Sequence, residues 1–182
     1  HGFDALEIAA LGLFLVLITA IACWFSSAAI GFWVLLTGRE QEDLKFRPHP
    51  PEPTQRTALL MPLYNEDARA AFARLAVIDN SLARLGVSGA FDIFVLSDST
   101  KAEAADQEHQ AYLGFRAHAH SRVFYRRREK NIERKCGNIA EWTHRFGGAY
   151  PVTLVLDADS TRAGETILRM VDCMERNPGI GL

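Results

Sequence analysis

From Ile8 to Gly38 the chain carries no charged side chain, and this run limits what can follow it. A helix of roughly 20 apolar residues crosses a bilayer core, and a longer one spans by tilting or by reaching into the interface. Trp24 and Trp33 suit the headgroup level. A buried core helix is the alternative, but in a domain of this size such helices seldom run so far without a charge. A signal peptide fits poorly, since the basic leading region is missing and its apolar core would be only about 7–15 residues. Asp4 and Glu7 precede the run, whereas Arg39, Lys45, Arg47 and Arg56 follow it. Positive residues stay on the cytoplasmic side and acidic ones such as Glu40, Glu42 and Asp43 count little, so the soluble part is expected in the cytoplasm.

Beyond Arg39 the composition is that of a charged globular domain. Over the whole chain 20 Lys+Arg face 22 Asp+Glu, a balance that gives no reason to expect a nucleic-acid partner. Cys23, Cys136 and Cys173 form no C-x-x-C pair, which argues against a disulfide framework or a zinc site and suits a reducing compartment. The expected organisation is a transmembrane helix over 1–38, a Pro-rich linker over 39–56 and a globular part over 57–182. In the linker Pro48, Pro50, Pro51 and Pro53 favour extended backbone. The closing Asn177-Pro178-Gly179-Ile180-Gly181 reads as a turn into a further strand, so the chain is expected to be the N-terminal part of a longer domain.

Within the globular part short apolar runs alternate with longer amphipathic ones. Strands are expected over Thr57–Met61, Phe91–Ser97, Arg122–Tyr125 and Val152–Leu156, and helices over Ala68–Leu85, Lys101–His118, Asn138–Phe146 and Glu165–Glu175. Gly86 is the natural stop of the first of these helices. Alternating strands and helices imply an α/β fold with a mainly parallel sheet. In such sheets ligands bind beyond the carboxyl ends of the strands.

Each of three strand ends supplies an acid. Pro62-Leu63-Tyr64-Asn65-Glu66-Asp67 follows the first strand, Ser97-Asp98-Ser99 the second, and Asp157-Ala158-Asp159-Ser160 the last. Asp157 and Asp159 can turn toward one hard cation, Mg²⁺ or Mn²⁺, which takes one or two carboxylates plus phosphate oxygens. The alternative is a tight turn in which Asp157 caps the next helix. Asp98 can accept a base N–H, or it or Ser99 can cap the helix that follows. Arg126, Arg127, Arg128, Lys130, Arg134 and Lys135 form the most basic stretch, open to three readings: a solvated face, a phosphate site, or attraction to an anionic membrane surface. In Lys135-Cys136-Gly137-Asn138 the glycine allows close backbone approach and Asn138 can open a helix. There is no G-x-x-x-x-G-K-[ST] loop, no G-x-G-x-x-G after a strand and no H-E-x-x-H pair, so ATPase and nicotinamide readings are weak.

In this order Pro62-Leu63-Tyr64-Asn65-Glu66, Asp98, Lys135-Cys136-Gly137-Asn138 and Asp157-Ala158-Asp159 resemble the motifs of family-2 glycosyltransferases of the GT-A fold. Val95–Ser99, Phe124–Arg128 and Leu156–Ser160 look, more narrowly, like the glucan biosynthesis glucosyltransferase H family. The resemblance implies an inverting enzyme of the bacterial inner membrane, multi-pass when full-length, that elongates the β-glucan backbone of osmoregulated periplasmic glucans from UDP-glucose. Tyr64, Glu66 and Asp98 would line the uridine pocket, and Lys135 and Asn138 would touch the nucleotide side of the donor. Asp157 would lie near the sugar or diphosphate, and Asp159 would hold the metal. The implied partners are the UDP-sugar, the growing glucan, the bilayer and acyl carrier protein. Tyr64 departs from the small residue expected in the nearest relatives. The family's general base belongs to a later T-E-D-type motif and its acceptor side to a Q-x-x-R-W motif, so this chain is expected to bind donor without turning over.

Two other classes compete. Asp157-Ala158-Asp159-Ser160-Thr161 also fits the D-x-D-x-[TV] signature of haloacid-dehalogenase-type phosphatases, which sits on the first strand of its domain. A membrane-anchored binding module without catalysis is the second, and other processive synthases, cellulose-like ones included, are neighbours within the glycosyltransferase class.

Overall fold

The computed structural model describes residues 4–37, 47–158 and 161–177, which fall into two units. The first is a single helix, α1 (Ala5–Thr37), of 33 residues with none buried. At 1.5 Å per residue it is about 50 Å long, well beyond a hydrocarbon core of about 30 Å. It is long and apolar enough to cross a membrane. Its few polar side chains are satisfied internally. Thr19, Ser26, Ser27 and Thr37 donate to the carbonyls of Leu15, Ala22, Cys23 and Trp33 at 2.7, 2.7, 3.0 and 2.8 Å. Such back-bonding would leave no hydroxyl of α1 unpaired in an apolar surrounding. Glu7 closes the start by accepting the Asp4 N–H at 3.0 Å.

The second unit is an α/β sandwich on four parallel strands, β1 (Thr57–Leu63), β2 (Phe91–Ser97), β3 (Arg122–Arg127) and β4 (Val152–Val155), in the order β3-β2-β1-β4. All seven residues of β1 and of β2 are buried, because both faces of the sheet are covered. Leu59, Met61, Leu63, Ile93 and Val95 face one side, packed on α2 (Ala68–Arg84), α3 (Ala102–Arg116) and α5 (Gly164–Arg176) through Leu75, Ile78, Tyr112, Ile167 and Val171. Ala58, Leu60, Phe94 and Leu96 face the other, where Trp142 of α4 (Arg134–Phe146) is 1% exposed and meets Phe94 edge-on at 4.9 Å. α2 ends as expected: Gly86 takes φ 75°, and the N–H groups of Gly86 and Val87 return to Ala83 and Leu82.

Boundaries differ where tertiary contacts intervene. α4 begins at Arg134, not at Asn138, and Gly137 lies inside it. A Cβ on Gly137 would stand 2.2 Å from the Ile132 carbonyl oxygen, so the glycine marks a close approach within the helix's first turn and no break. The Pro-rich residues from Arg47 on dock on α5: the N–H groups of Thr54 and Gln55 both reach Glu175, at 2.9 and 3.0 Å, and Arg47 lies 3.5 Å from the buried Asp172. Residues 38–46 and the expected closing turn at 178–181 lie outside the described residues.

The amino ends of the strands are pinned by one carboxylate. Asp92, fully buried, takes two bonds from Arg56 at 2.6 and 3.1 Å, two from Arg122, one of them at 2.8 Å, and the Tyr150 hydroxyl at 2.8 Å. Arg56, Asp92, Arg122 and Tyr150 flank or open β1, β2, β3 and β4 in turn. Burial works to raise the Asp92 pKa, but the bonds from Arg122, Arg56 and Tyr150 outweigh it and hold the carboxyl well below the usual range. Burial, then donation to Asp92, pushes the Tyr150 hydroxyl up to about 12.

A carboxyl depressed by folding stabilises above its unfolded pKa of about 3.9, and that contribution is lost as pH falls through the folded value. Asp92→Asn is therefore expected to cost about 1–3 kcal/mol at pH 7, with both arginines half-exposed and open to partial solvation. The difference from wild type should shrink below about pH 4. Thermal unfolding of the detergent-solubilised protein at pH 7 and at pH 3 checks both, and a gap that is equal at the two pH values contradicts the assignment.

Candidate functional site

β1 and β4 separate before β1 ends. Their last register pair is Leu60 with Val155, and the Leu156 N–H makes a final bond to the Leu60 carbonyl at 2.8 Å. In a parallel strand alternate residues bond to opposite neighbours, so Pro62 would next turn its backbone toward β4. Proline has no N–H to offer, and β4 has already gone. β1 lies between β2 and β4, so this gap is the topological switch point of the sheet. A cleft of about 960 Å³ opens there, lined by Tyr64, Glu66, Arg74, Asp98, Lys135 and Asp157 among others.

The strand-end loops are fixed by one another. Asp67 caps α2, accepting the Ala70 N–H at 3.2 Å. Asn65 has left-handed backbone, φ 51°, which asparagine tolerates better than most residues. It clasps the loop after β2: its N–H donates to the Ser99 hydroxyl at 2.7 Å, and its side-chain oxygen accepts the Lys101 N–H at 3.1 Å. The Ser99 hydroxyl in turn donates to the fully buried Glu108, whose other oxygen accepts from the Tyr125 hydroxyl at 3.2 Å. Neither Asp98 nor Ser99 caps α3, whose N-cap is Lys101.

Asp98 lines the cleft with 4% exposure, and its two oxygens take the Nε and one Nη of Arg128 at 2.6 and 2.9 Å. The bond to Asp98 chiefly holds the Arg128 pKa up. An ionised carboxylate has more lone pairs than this fork uses, so Asp98 can still accept from a ligand N–H. Across the cleft the Lys135 ammonium pairs with Asp157. This bond, then the charge itself, lowers the Asp157 pKa. The helix after Asp157 starts at Gly164 with Ala163 as its cap, so Asp157 is no helix cap. It follows the fourth strand and lies at the switch point, where the phosphatase signature would require the first strand.

Asn138 is not brought to the cleft. It is fully buried in α4, donating to the Leu96 carbonyl at 3.1 Å and accepting from Arg126 at its side-chain and backbone oxygens. Its side chain thereby ties α4 to the end of β2. Asp159 lies outside the described residues. Among the described residues no group of three or more His, Cys, Asp or Glu could hold a metal alone. Asp157 nevertheless offers an exposed carboxylate at the cleft, the donor chemistry of a hard cation that completes its shell with phosphate oxygens.

Several site residues were not singled out by sequence. Arg74 of α2 reaches the cleft and donates to the Ala158 carbonyl at 2.6 Å, fixing the loop that bears Asp157. Its signal was the small pair Ala70-Ala71 at the cleft side of α2, which leaves room for a long side chain a turn later. The basic stretch is not one solvated face. Arg126 turns inward, where burial lowers its pKa, and Arg128 is 8% exposed; Lys135 stays half-exposed at the cleft. Glu133 and Arg134 have φ 56° and 50°, and with Asn65 they are the non-glycine residues with left-handed backbone among the described ones. Such backbone costs roughly 1–2 kcal/mol per residue and gathers at ligand sites.

No family model matches the chain. It is 47% identical over 183 residues to a glucans biosynthesis glucosyltransferase H of Caulobacter vibrioides, 48% over 185 to that of Xanthomonas euvesicatoria and 45% over 185 to that of Xylella fastidiosa. Each match covers 100% of this chain but only 28–29% of the relative's length. A mannosyltransferase from Pyrobaculum calidifontis, solved with GDP-Man and Mn²⁺, matches with TM-score 0.52 and 14% identity over 86% of this chain and 42% of its own. The chain thus has an α/β fold shared with a glycosyltransferase and is homologous, throughout its length, to one segment of the glucans biosynthesis glucosyltransferase H proteins.

Proposed function

We propose that this chain is the donor-binding part of a membrane-bound inverting glucosyltransferase that draws glucose from UDP-glucose to extend a β-glucan. The observation that carries the reading is the convergence, at one switch-point cleft, of the Tyr64–Asp67 loop, Asp98 and the Lys135–Asp157 pair. Asp98 sits at the end of β2, where its carboxylate suits a base that presents a ring N–H. Tyr64, half-exposed beside it, offers a ring on which that base can stack. Lys135 and Arg74 place positive charge where a diphosphate would lie.

Asp157, with Asp159 beyond the described residues, is the proposed anchor of a divalent cation. When bound, Mg²⁺ or Mn²⁺ neutralises charge that builds up as a diphosphate leaves. Lys135 holds Asp157 ionised and aimed at the cleft, and on ligand binding it can pass from the carboxylate to a phosphate oxygen. The organisation expected from the sequence goes with this reading: a membrane span at the N-terminus, a Pro-rich connection, and a cytoplasmic glycosyltransferase domain at a bacterial inner membrane. The glucan acceptor and acyl carrier protein are partners proposed for the whole enzyme, and the chain alone is proposed to bind donor without transferring it.

Calorimetry with UDP-glucose, GDP-mannose and ATP, with and without Mn²⁺, tests the assignment, and selective metal-dependent binding of UDP-glucose is expected. Lys135→Ala should weaken UDP binding about tenfold or more, the loss of one charge-assisted contact. Asp157→Asn should remove most of the metal dependence while sparing metal-free uridine binding. Preference for ATP, or an Asp157→Asn variant with wild-type response to Mn²⁺, contradicts the reading.

A further inference from the structure

Arg128 leaves the end of β3 and meets loops at both ends of the cleft. Its Nε and Nη2 hold the Asp98 carboxylate, and the same Nη2 donates to the Arg134 carbonyl at 3.0 Å. Its remaining nitrogen lies 3.7 Å from Glu141 of α4. Arg128 is 8% and Asp98 4% exposed, so water competes little for these bonds. The carbonyl that Arg128 holds directly precedes Lys135, whose ammonium pairs with Asp157 across the cleft. This lip is also where the backbone is bent against its preference, with Glu133 and Arg134 both left-handed. The turn is closed by the Gly137 N–H on the Glu133 carbonyl at 3.1 Å, and Gly137 has no room for a Cβ beneath Ile132. A planar guanidinium can serve a carboxylate and a carbonyl at fixed angles at once, which the point charge of an ammonium cannot do.

We infer that Arg128 is a positioning residue: one guanidinium locks the lip that carries Lys135 to the carboxylate of Asp98, so that the base end and the diphosphate end of the cleft are set together. The inference rests on the donor site proposed above, but its mechanical half can be read without ligand. Hydrogen exchange by mass spectrometry on the full-length detergent-solubilised protein compares wild type with Arg128→Lys and Arg128→Gln. Exchange over residues 131–137 should rise about tenfold while amides of β1 and β2 stay unchanged, the pattern of local rather than global opening.

Calorimetry with UDP then supplies a double-mutant cycle. Arg128→Lys and Lys135→Ala should each weaken UDP binding, and together they should lose at least about threefold less than the product of the separate losses, since Lys135 is already misplaced once the lip is freed. Unchanged exchange at 131–137, or a rise in step with β1 and β2, overturns the inference, as does a cycle in which the losses multiply. A wild-type protein that binds no nucleoside diphosphate contradicts the proposed function and the role of Arg128 toward a ligand; exchange alone then decides whether Arg128 holds the lip.

Discussion

The separation of β1 from β4 after Leu60 is the constraint on which the site depends. Two parallel strands that stayed paired to their ends would leave no space between their loops. Pro62 makes the separation permanent, because it has no N–H with which to recruit β4 at the next bonding position. The cost is small, since a proline there gives up a bond that no partner was present to make. Everything chemical then follows from position: the β1 loop brings Tyr64 and Glu66, β2 brings Asp98, and the chain leaving β4 brings Asp157.

The two ends of the sheet use charge differently. At the amino ends Asp92 is surrounded by cations and a hydroxyl, all from this chain, and its bonds tie strand starts to one another. At the carboxyl ends the pairs are looser or only partly closed. Asp157 and Lys135 are side chains 65% and 47% exposed, so an incoming ligand can rearrange them at little cost in desolvation. Asp98 is the intermediate case, buried behind Arg128 yet still at the cleft wall. A rigid end and an adaptable end of one sheet are what a binding site on a fixed scaffold requires.

Much of this was legible in the sequence because strand and helix periods are local signals. β2 has the expected limits, Gly86 ends α2, and the three strand-end acids that are described fall at one cleft. What stayed hidden depends on partners distant in the chain. Asn138 reads as a helix opener, but the Leu96 carbonyl and Arg126 claim it, 42 and 12 residues away. Asp79 of α2, which no motif marks, is buried and accepts the N–H groups of His120 and Ser121 at 2.7 and 2.9 Å. The basic run looks uniform as text, while the alternation of β3 and the turn beyond it send its members to different places. Gly137 suggested close approach correctly, but only the fold shows that the approaching group is the Ile132 carbonyl.

The central claim, that the switch-point cleft holds a nucleoside-diphosphate sugar with its base toward Asp98, is tested most directly by photolabelling. Full-length protein would be irradiated with 5-azido-UDP-glucose in the presence of Mn²⁺, digested, and the modified peptides mapped. The account predicts UDP-protectable label within residues 62–67 or 97–101, the loops that end β1 and β2. Protectable label confined to other segments would contradict it.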